Sequence, residues 1–334
     1  MANVTRLTQP GYDGTTQDAM FLTLFGSEVM AAFEEATVMR DKHMIKQVSQ
    51  GKAVSMPVVG RAAASYHTEG EDLLGGTYLS SIPHNQRIIT LDSMLTSSAF
   101  VPEIQELKNH WSERQAYAQE LGFALGQKFD KQVLKVLAQA ARADASVAGE
   151  LGNLSANTDK QITQADHATS GSALAAYLFD AAELLDKMHV PGAADGRRWA
   201  VVTPGMYYNL LQIAPTAAAN PVDSRIGGTA SVQQAAPAPI TIAGIKVVMS
   251  QNMDTNSGTS QETGTNTDYE EDTSAALGYV FHETAVGTAQ LRDLTVTSDY
   301  IPQNLGTLLV GKMCVGHNYL RANACIELNT SAFT

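Results

Sequence analysis

The chain has 334 residues, 44% of them apolar and 17% charged, a balance that places it among globular proteins and excludes disorder of the whole chain. This length exceeds the point at which one core stops growing, so more than one compact unit is expected. The formal net charge of −12, from 34 acidic and 22 basic residues, makes the molecule repel phosphate as a whole and disfavours sequence-specific binding to nucleic acid.

Cys314 and Cys325 supply neither a disulfide framework nor a C-x-x-C zinc spacing, which fits a reducing, cytoplasmic folding compartment. Neither residues 1–10 nor any later window has the apolar run of a signal peptide or membrane helix, so no membrane partner is expected.

Behind a polar, glycine-containing arm, residues 20–38 carry Phe21, Leu24, Phe25, Val29, Met30 and Phe33 at spacings of three and four, which predicts an amphipathic helix. Val54, Met56 and Val58 then alternate around Pro57, and residues 87–91 form a second strand-like run beyond a long polar loop punctuated by Gly70, Gly75 and Gly76. Together, residues 51–91 read as an extended hairpin with too little apolar side chain for a core of its own. An isolated two-stranded hairpin is marginal in water, so this one is expected to rest on something else, a neighbouring subunit being the obvious support.

From Pro102 to about residue 142 the pattern becomes helical, with Ile104, Leu107, Trp111, Ala118, Leu121, Leu125, Phe129 and Val136 at threes and fours. Continuous, it would run about 60 Å and act as a spine. Gly122 and Gly126 each cost up to about 1 kcal/mol against alanine in a helix interior. Their spacing fits either the close approach of another backbone or a kink.

A polar link at 143–171 precedes a compact mixed unit: helix 172–189, strand 199–203, helix 204–213 opened by Thr203 and Pro204, and strand 240–249. Residues 251–274 read as an exposed loop, and their acidic run, Asp268, Glu270, Glu271 and Asp272, as solvated rather than cation-binding. Strands are predicted around 278–282, 290–297, 308–314 and 325–328, with partners made earlier in the chain. No internal repeat is evident.

Catalytic motifs fail on inspection. Gly306, Gly311 and Lys312 have P-loop spacing, but Met313 stands where a metal-binding hydroxyl is needed, and Leu308, Leu309 and Val310 read as buried strand. His282 and Glu283 begin like a zincin helix, yet Val286 occupies the second histidine position. Asp254, Asn256 and Gly258 resemble a calcium loop lacking its later oxygen ligands. The other histidines, His43, His67, His84, His110, His167, His189 and His317, are scattered and read as surface or packing residues. Neither a G-x-S-x-G elbow nor a G-x-G-x-x-G fingerprint occurs. No catalytic, metal or cofactor site is predicted.

Five segments carry a family resemblance: 25–38 (FGSEVMAAFEEATV), 51–66 (GKAVSMPVVGRAAASY), 87–101 (RIITLDSMLTSSAFV), 281–294 (FHETAVGTAQLRDL) and 312–324 (KMCVGHNYLRANA). They resemble the major capsid proteins of short-tailed double-stranded DNA bacteriophages (podoviruses of the autographivirus type). The order of elements likewise resembles the tailed-phage capsid fold, shared with encapsulins and herpesvirus shell proteins.

The resemblance implies an α+β fold with an N-terminal arm and helix at 1–50, an extended hairpin loop at 51–91 and a peripheral domain at 92–167 with the spine helix. An axial α/β domain at 168–288 and returning peripheral strands at 289–334 complete it. It implies a structural subunit, not an enzyme, that assembles with itself into hexamers and pentamers of an icosahedral head. A scaffolding protein guides the precursor shell, and a portal complex occupies one vertex. The head encloses double-stranded DNA without specific binding, is built in the host cytoplasm, and becomes the virion capsid. Met56, Val58, Arg61, Tyr66, Leu73, Leu74 and Tyr78 are the candidate inter-subunit contacts, and Gly122 and Gly126 the candidate spine-packing residues. The alternatives are an encapsulin-type compartment and, from another class, a soluble hydrolase or nucleotide-binding enzyme.

Overall fold

The computed structural model describes residues 27–73, 82–102, 104, 113–144, 157–163, 169–192, 195–211, 240–253, 269 and 271–330. A first helix occupies residues 27–36, followed by a short 3-10 turn at Arg40–Lys42. Val29, Ala32 and Phe33 are buried while Met30 is exposed, the one-sided pattern expected of an amphipathic helix. The expectations on Phe21, Leu24, Phe25, Leu107 and Trp111 lie outside the described residues, as does most of the predicted loop at 251–274.

The spine is a helix of 30 residues, Glu113–Arg142, about 45 Å long at the standard rise. Its predicted start at Pro102 is corrected: Pro102 ends a strand, Leu95–Pro102, and pairs with Gly306. Proline lacks a donor and is tolerated at such a strand end. Thr96, Ser97 and Ser98 dilute the apolar alternation there, which is why the strand is faint in the sequence.

The spine helix continues unbroken through Gly122 and Gly126, where residues 27–36 cross it. A Cβ at Gly122 would lie 2.6 Å from the Val29 carbonyl oxygen and 2.7 Å from the Ala32 methyl; one at Gly126 would lie 2.8 Å from the Ala36 methyl. The two helices meet backbone to backbone, sealed by an edge-on contact of Phe33 with Phe129 at 6.1 Å.

Two larger sheets and a hairpin complete the fold. In chain order the strands are β1 (Met44–Gln47), β2 (Ala53–Val59), β3 (His84–Thr90), β4 (Leu95–Pro102), β5 (Gln161–Thr163), β6 (Arg198–Val202), β7 (Ile240–Ile242), β8 (Ile245–Met249), β9 (Ala276–His282), β10 (Val286–Ile301), β11 (Gly306–Tyr319) and β12 (Cys325–Asn329). The four-stranded sheet has the order β1-β10-β11-β4, and the six-stranded sheet β5-β12-β9-β6-β8-β7. Among the described residues, β2 and β3 pair only with each other. The single strand predicted at 240–249 is a tight hairpin, because Ala243 and Gly244 turn the chain with φ of 50° and 76°.

Helices Gly171–Lys187 and Pro204–Leu211 pack on the six-stranded sheet, the first capped by the Ser170 hydroxyl, which accepts from the Ala173 amide. β5 and β12 join this sheet from outside residues 168–288. One continuous apolar cluster runs from Val29 and Phe33 through the spine to both sheets. From Gln132 to Ala138 every residue of the spine is buried.

Replacing both spine glycines by leucine should therefore force the first helix off the spine. We expect Gly122→Leu with Gly126→Leu to lose about 1–3 kcal/mol or more in chemical denaturation. Gly192→Ala, where no described residue lies within 4 Å of the new methyl, should be neutral in the same measurement.

Candidate assembly surfaces

The hairpin has an inner and an outer face because alternate strand residues point opposite ways. Val54 and Ile89 turn inward and join Ala289 and Leu320 in a small separate cluster, with Met56 packed against it. Backbone contact is unusually close: a Cβ at Gly316 would stand 2.0 Å from the Thr90 carbonyl oxygen, so only glycine lets the β3 end lie on β11. The Asn318 amide donates to the Ile88 carbonyl at 2.8 Å, and the Arg87 guanidinium lies 4.3 Å from the centre of the Tyr319 ring. The stem is thus seated on its own subunit.

Beyond Val59 the hairpin changes character. The Gly60 amide still donates to Pro83 at 2.7 Å, and the Arg61 guanidinium donates to the His189 carbonyl at 3.2 Å. Tyr66 is wholly exposed, and Leu73, Ile82 and Val59 are more than half or about half exposed. The predicted contacts consequently divide. Val58 is buried and Met56 packs on the subunit's own cluster, whereas Arg61, Tyr66 and Leu73 lie exposed on the distal part. Leu74 and Tyr78 lie outside the described residues.

A buried polar system, not anticipated from the sequence, fixes the chain just before the hairpin. The Asp130 carboxylate on the spine accepts from the amides of Val38 and Met39 at 2.8 and 3.2 Å and from the Asn252 side chain at 3.0 Å. Burial raises its pKa, and these donors offset part of the rise. His43 Nδ1 stands 2.7 Å from the Met39 carbonyl and its Nε2 2.7 Å from the Thr288 hydroxyl, which is 2.8 Å from His317 Nδ1. Burial lowers His43 to about 4 and His317 to about 3, so both are neutral at ordinary pH. Sequence offered no signal for this cluster, since His43 and Thr288 come from distant parts of the chain.

Several other buried charges have polar partners. Arg142, at the end of the spine, grips Glu327 of β12 through two bonds of 2.7 and 3.0 Å and reaches Glu271 at 3.2 Å. Burial raises the Glu327 carboxyl, which the Arg142 bonds partly counter. The Lys160 ammonium donates to the carbonyls of Ala140, Ala143 and Ala322, and Arg198 pairs with Asp186 at 2.6 Å. These groups join the spine and short segments to the six-stranded sheet.

The lookalike catalytic motifs take on ordinary structural roles. Gly306 to Met313 lies within β11, with Lys312 opposite Thr96 and Met313 opposite Leu95, so its amides serve a sheet ladder. His282 ends β9 and Glu283 enters a turn. Among the described residues, no three metal-ligating side chains come together.

Comparison with known proteins falls along these same elements. The family described as Gp10A-like major capsid protein matches residues 55–329. The major capsid protein of Escherichia phage T7 is 29% identical over 326 residues, spanning 92% of this chain and 90% of that protein. The capsid structure of cyanophage P-SCSP1u superposes with a TM-score of 0.72 at 30% identity, covering 89% of each chain. The mature capsid of bacteriophage PhiM1 shares the fold, with a TM-score of 0.65 at 15% identity over 89% of this chain and 88% of that one.

Truncating Arg142 to alanine should strand a buried carboxylate and cost about 3–5 kcal/mol in denaturant unfolding. Replacing both Arg142 and Glu327 by methionine should recover most of that loss in the same assay.

Proposed function

Since the chain belongs to the Gp10A-like major capsid protein family, we propose that it tiles an icosahedral phage head as hexamers and pentamers, each hairpin reaching onto a neighbouring copy. The observation that carries this reading is the split character of the hairpin. Its stem is locked to its own subunit, while its distal part carries exposed Tyr66 and Leu73. Apolar surface held out in this way is stabilised when another molecule covers it.

In this reading Arg61, Tyr66, Leu73, Leu74 and Tyr78 make the inter-subunit contacts, while Met56 and Val58 support them from within the subunit. Residues 92–167 and 289–334 form the peripheral part and residues 168–288 the axial part. A scaffolding protein guides assembly in the host cytoplasm, and a portal complex replaces subunits at one vertex. The net charge of −12 suits a wall that encloses double-stranded DNA without gripping it. The chain carries out no catalysis.

Replacing residues 67–81 by a short turn leaves the paired stem intact and removes the reaching part. Co-expressed with scaffolding protein, the shortened chain should remain folded by circular dichroism yet yield no closed particles by light scattering and electron microscopy. Normal particles would refute the hairpin's role in assembly. Particles filled with an enzyme instead of DNA would favour an encapsulin-type compartment.

A further inference from the structure

The buried histidine chain has a direction. A carbonyl oxygen can only accept, so His43 Nδ1 carries the hydrogen facing Met39 and its Nε2 is bare. That bare nitrogen accepts from the Thr288 hydroxyl, which in turn accepts from His317 Nδ1–H. His317 Nε2 is left as a bare lone pair, buried and without a partner among the described residues. A second proton has no proper place in this arrangement. On His43 it would point an N–H at a hydroxyl whose own hydrogen then loses its acceptor. On His317 it would point an N–H into buried surroundings with no acceptor among the described residues.

The chain also spans the joint between the N-terminal segment and the body. His43 comes from the turn after the first helix, Thr288 from β10 and His317 from β11. The Phe129 ring of the spine lies 5.9 Å from His43 and 5.0 Å from His317. β1 follows immediately after His43, pairs in parallel with β10, and leads into the hairpin at Ala53.

We propose that the His43–Thr288–His317 chain is a proton-released latch, through which acidification frees residues 38–48 from the subunit body while the core stays folded. The charged and titratable groups that face it act in both senses. Asp41 favours and Lys42 disfavours charge on His43, both from its own turn. From β11, His317 faces His43; from the remote loop, the Tyr269 hydroxyl receives the His317 backbone amide and donates to Asp92 at 2.5 Å. From the spine, Asp130 binds the Val38 and Met39 amides.

Both histidines are held below their ordinary value, so the closed and open states are equally neutral well above it. As pH falls through about 6.5, the open state gains protons that the closed state refuses, and opening grows. From pH 7 to pH 5 the gain is roughly 20-fold for His43, which leaves with the segment, and as much again for His317, whose ring that departure uncovers. Asp130 works in the opposite sense, because its raised pKa favours the closed turn on acidification.

Hydrogen exchange of the full chain at pH 7 and pH 5, corrected for intrinsic rates, tests the latch. Opening over residues 38–48 should rise a hundredfold or more, while β12 keeps its protection. Unchanged opening at 38–48, or an equal rise across β12, would overturn it. Asp130→Asn, which keeps an acceptor but does not titrate, should leave the rise at least as large. His317→Gln should reduce it to about 20-fold, and a variant retaining the full rise would also refute the pairing. Should His317→Gln fail to fold, the comparison of the unmodified chain at the two pH values decides alone.

Discussion

Everything in this subunit is arranged around a helix that has run out of solvent-facing sides. From Gln132 to Ala138 the spine is enclosed in every direction, which an ordinary amphipathic helix is not. Such a helix is stable only where partners surround it. Here the first helix, the β11 and β4 side of one sheet and the β12 side of the other supply them. Arg142, Lys160 and Asp130 complete the enclosure by neutralising polar groups that burial would otherwise make costly. Removing any one layer would expose a face of the spine to water, so the two sheets share one core although no described strand of one pairs with the other.

Much of this was legible because local patterns and tertiary demands agree. The spacing of Leu121, Leu125, Phe129 and Val136 marks the spine, and all four are buried. Strands β9, β11 and β12 announce themselves by apolar runs, and β9 and β12 are buried almost throughout. Legibility failed where few side chains reported on the fold. β4 is rich in serine and threonine, β1 is four exposed residues paired on one side, and the turn at Ala243 and Gly244 sits within a run that reads as one strand.

The assembly surface was half legible. An apolar alternation around Pro57 identifies the hairpin, but nothing local distinguishes the inward residues, Val54 and Ile89, from residues available to another copy. That distinction is made by Gly316, Ala289 and Leu320, two hundred or more residues away. The histidine chain was invisible for the same reason, since each member looks like an isolated polar residue until β10, β11 and the N-terminal turn are brought together.

With a seated stem and an exposed end, the hairpin can act as a cantilever. Its root is clamped by β10 and β11, and the joint near Gly60 and Pro83 is held by one backbone bond with Arg61 as a stay. The limb from residue 60 to its tip has a contour of about 40 Å at most. A change of a few degrees at the root therefore moves the tip by a few ångströms without disturbing the core. In the proposed shell, copies meeting at unequal angles would share the seated stem and differ in the set of this beam.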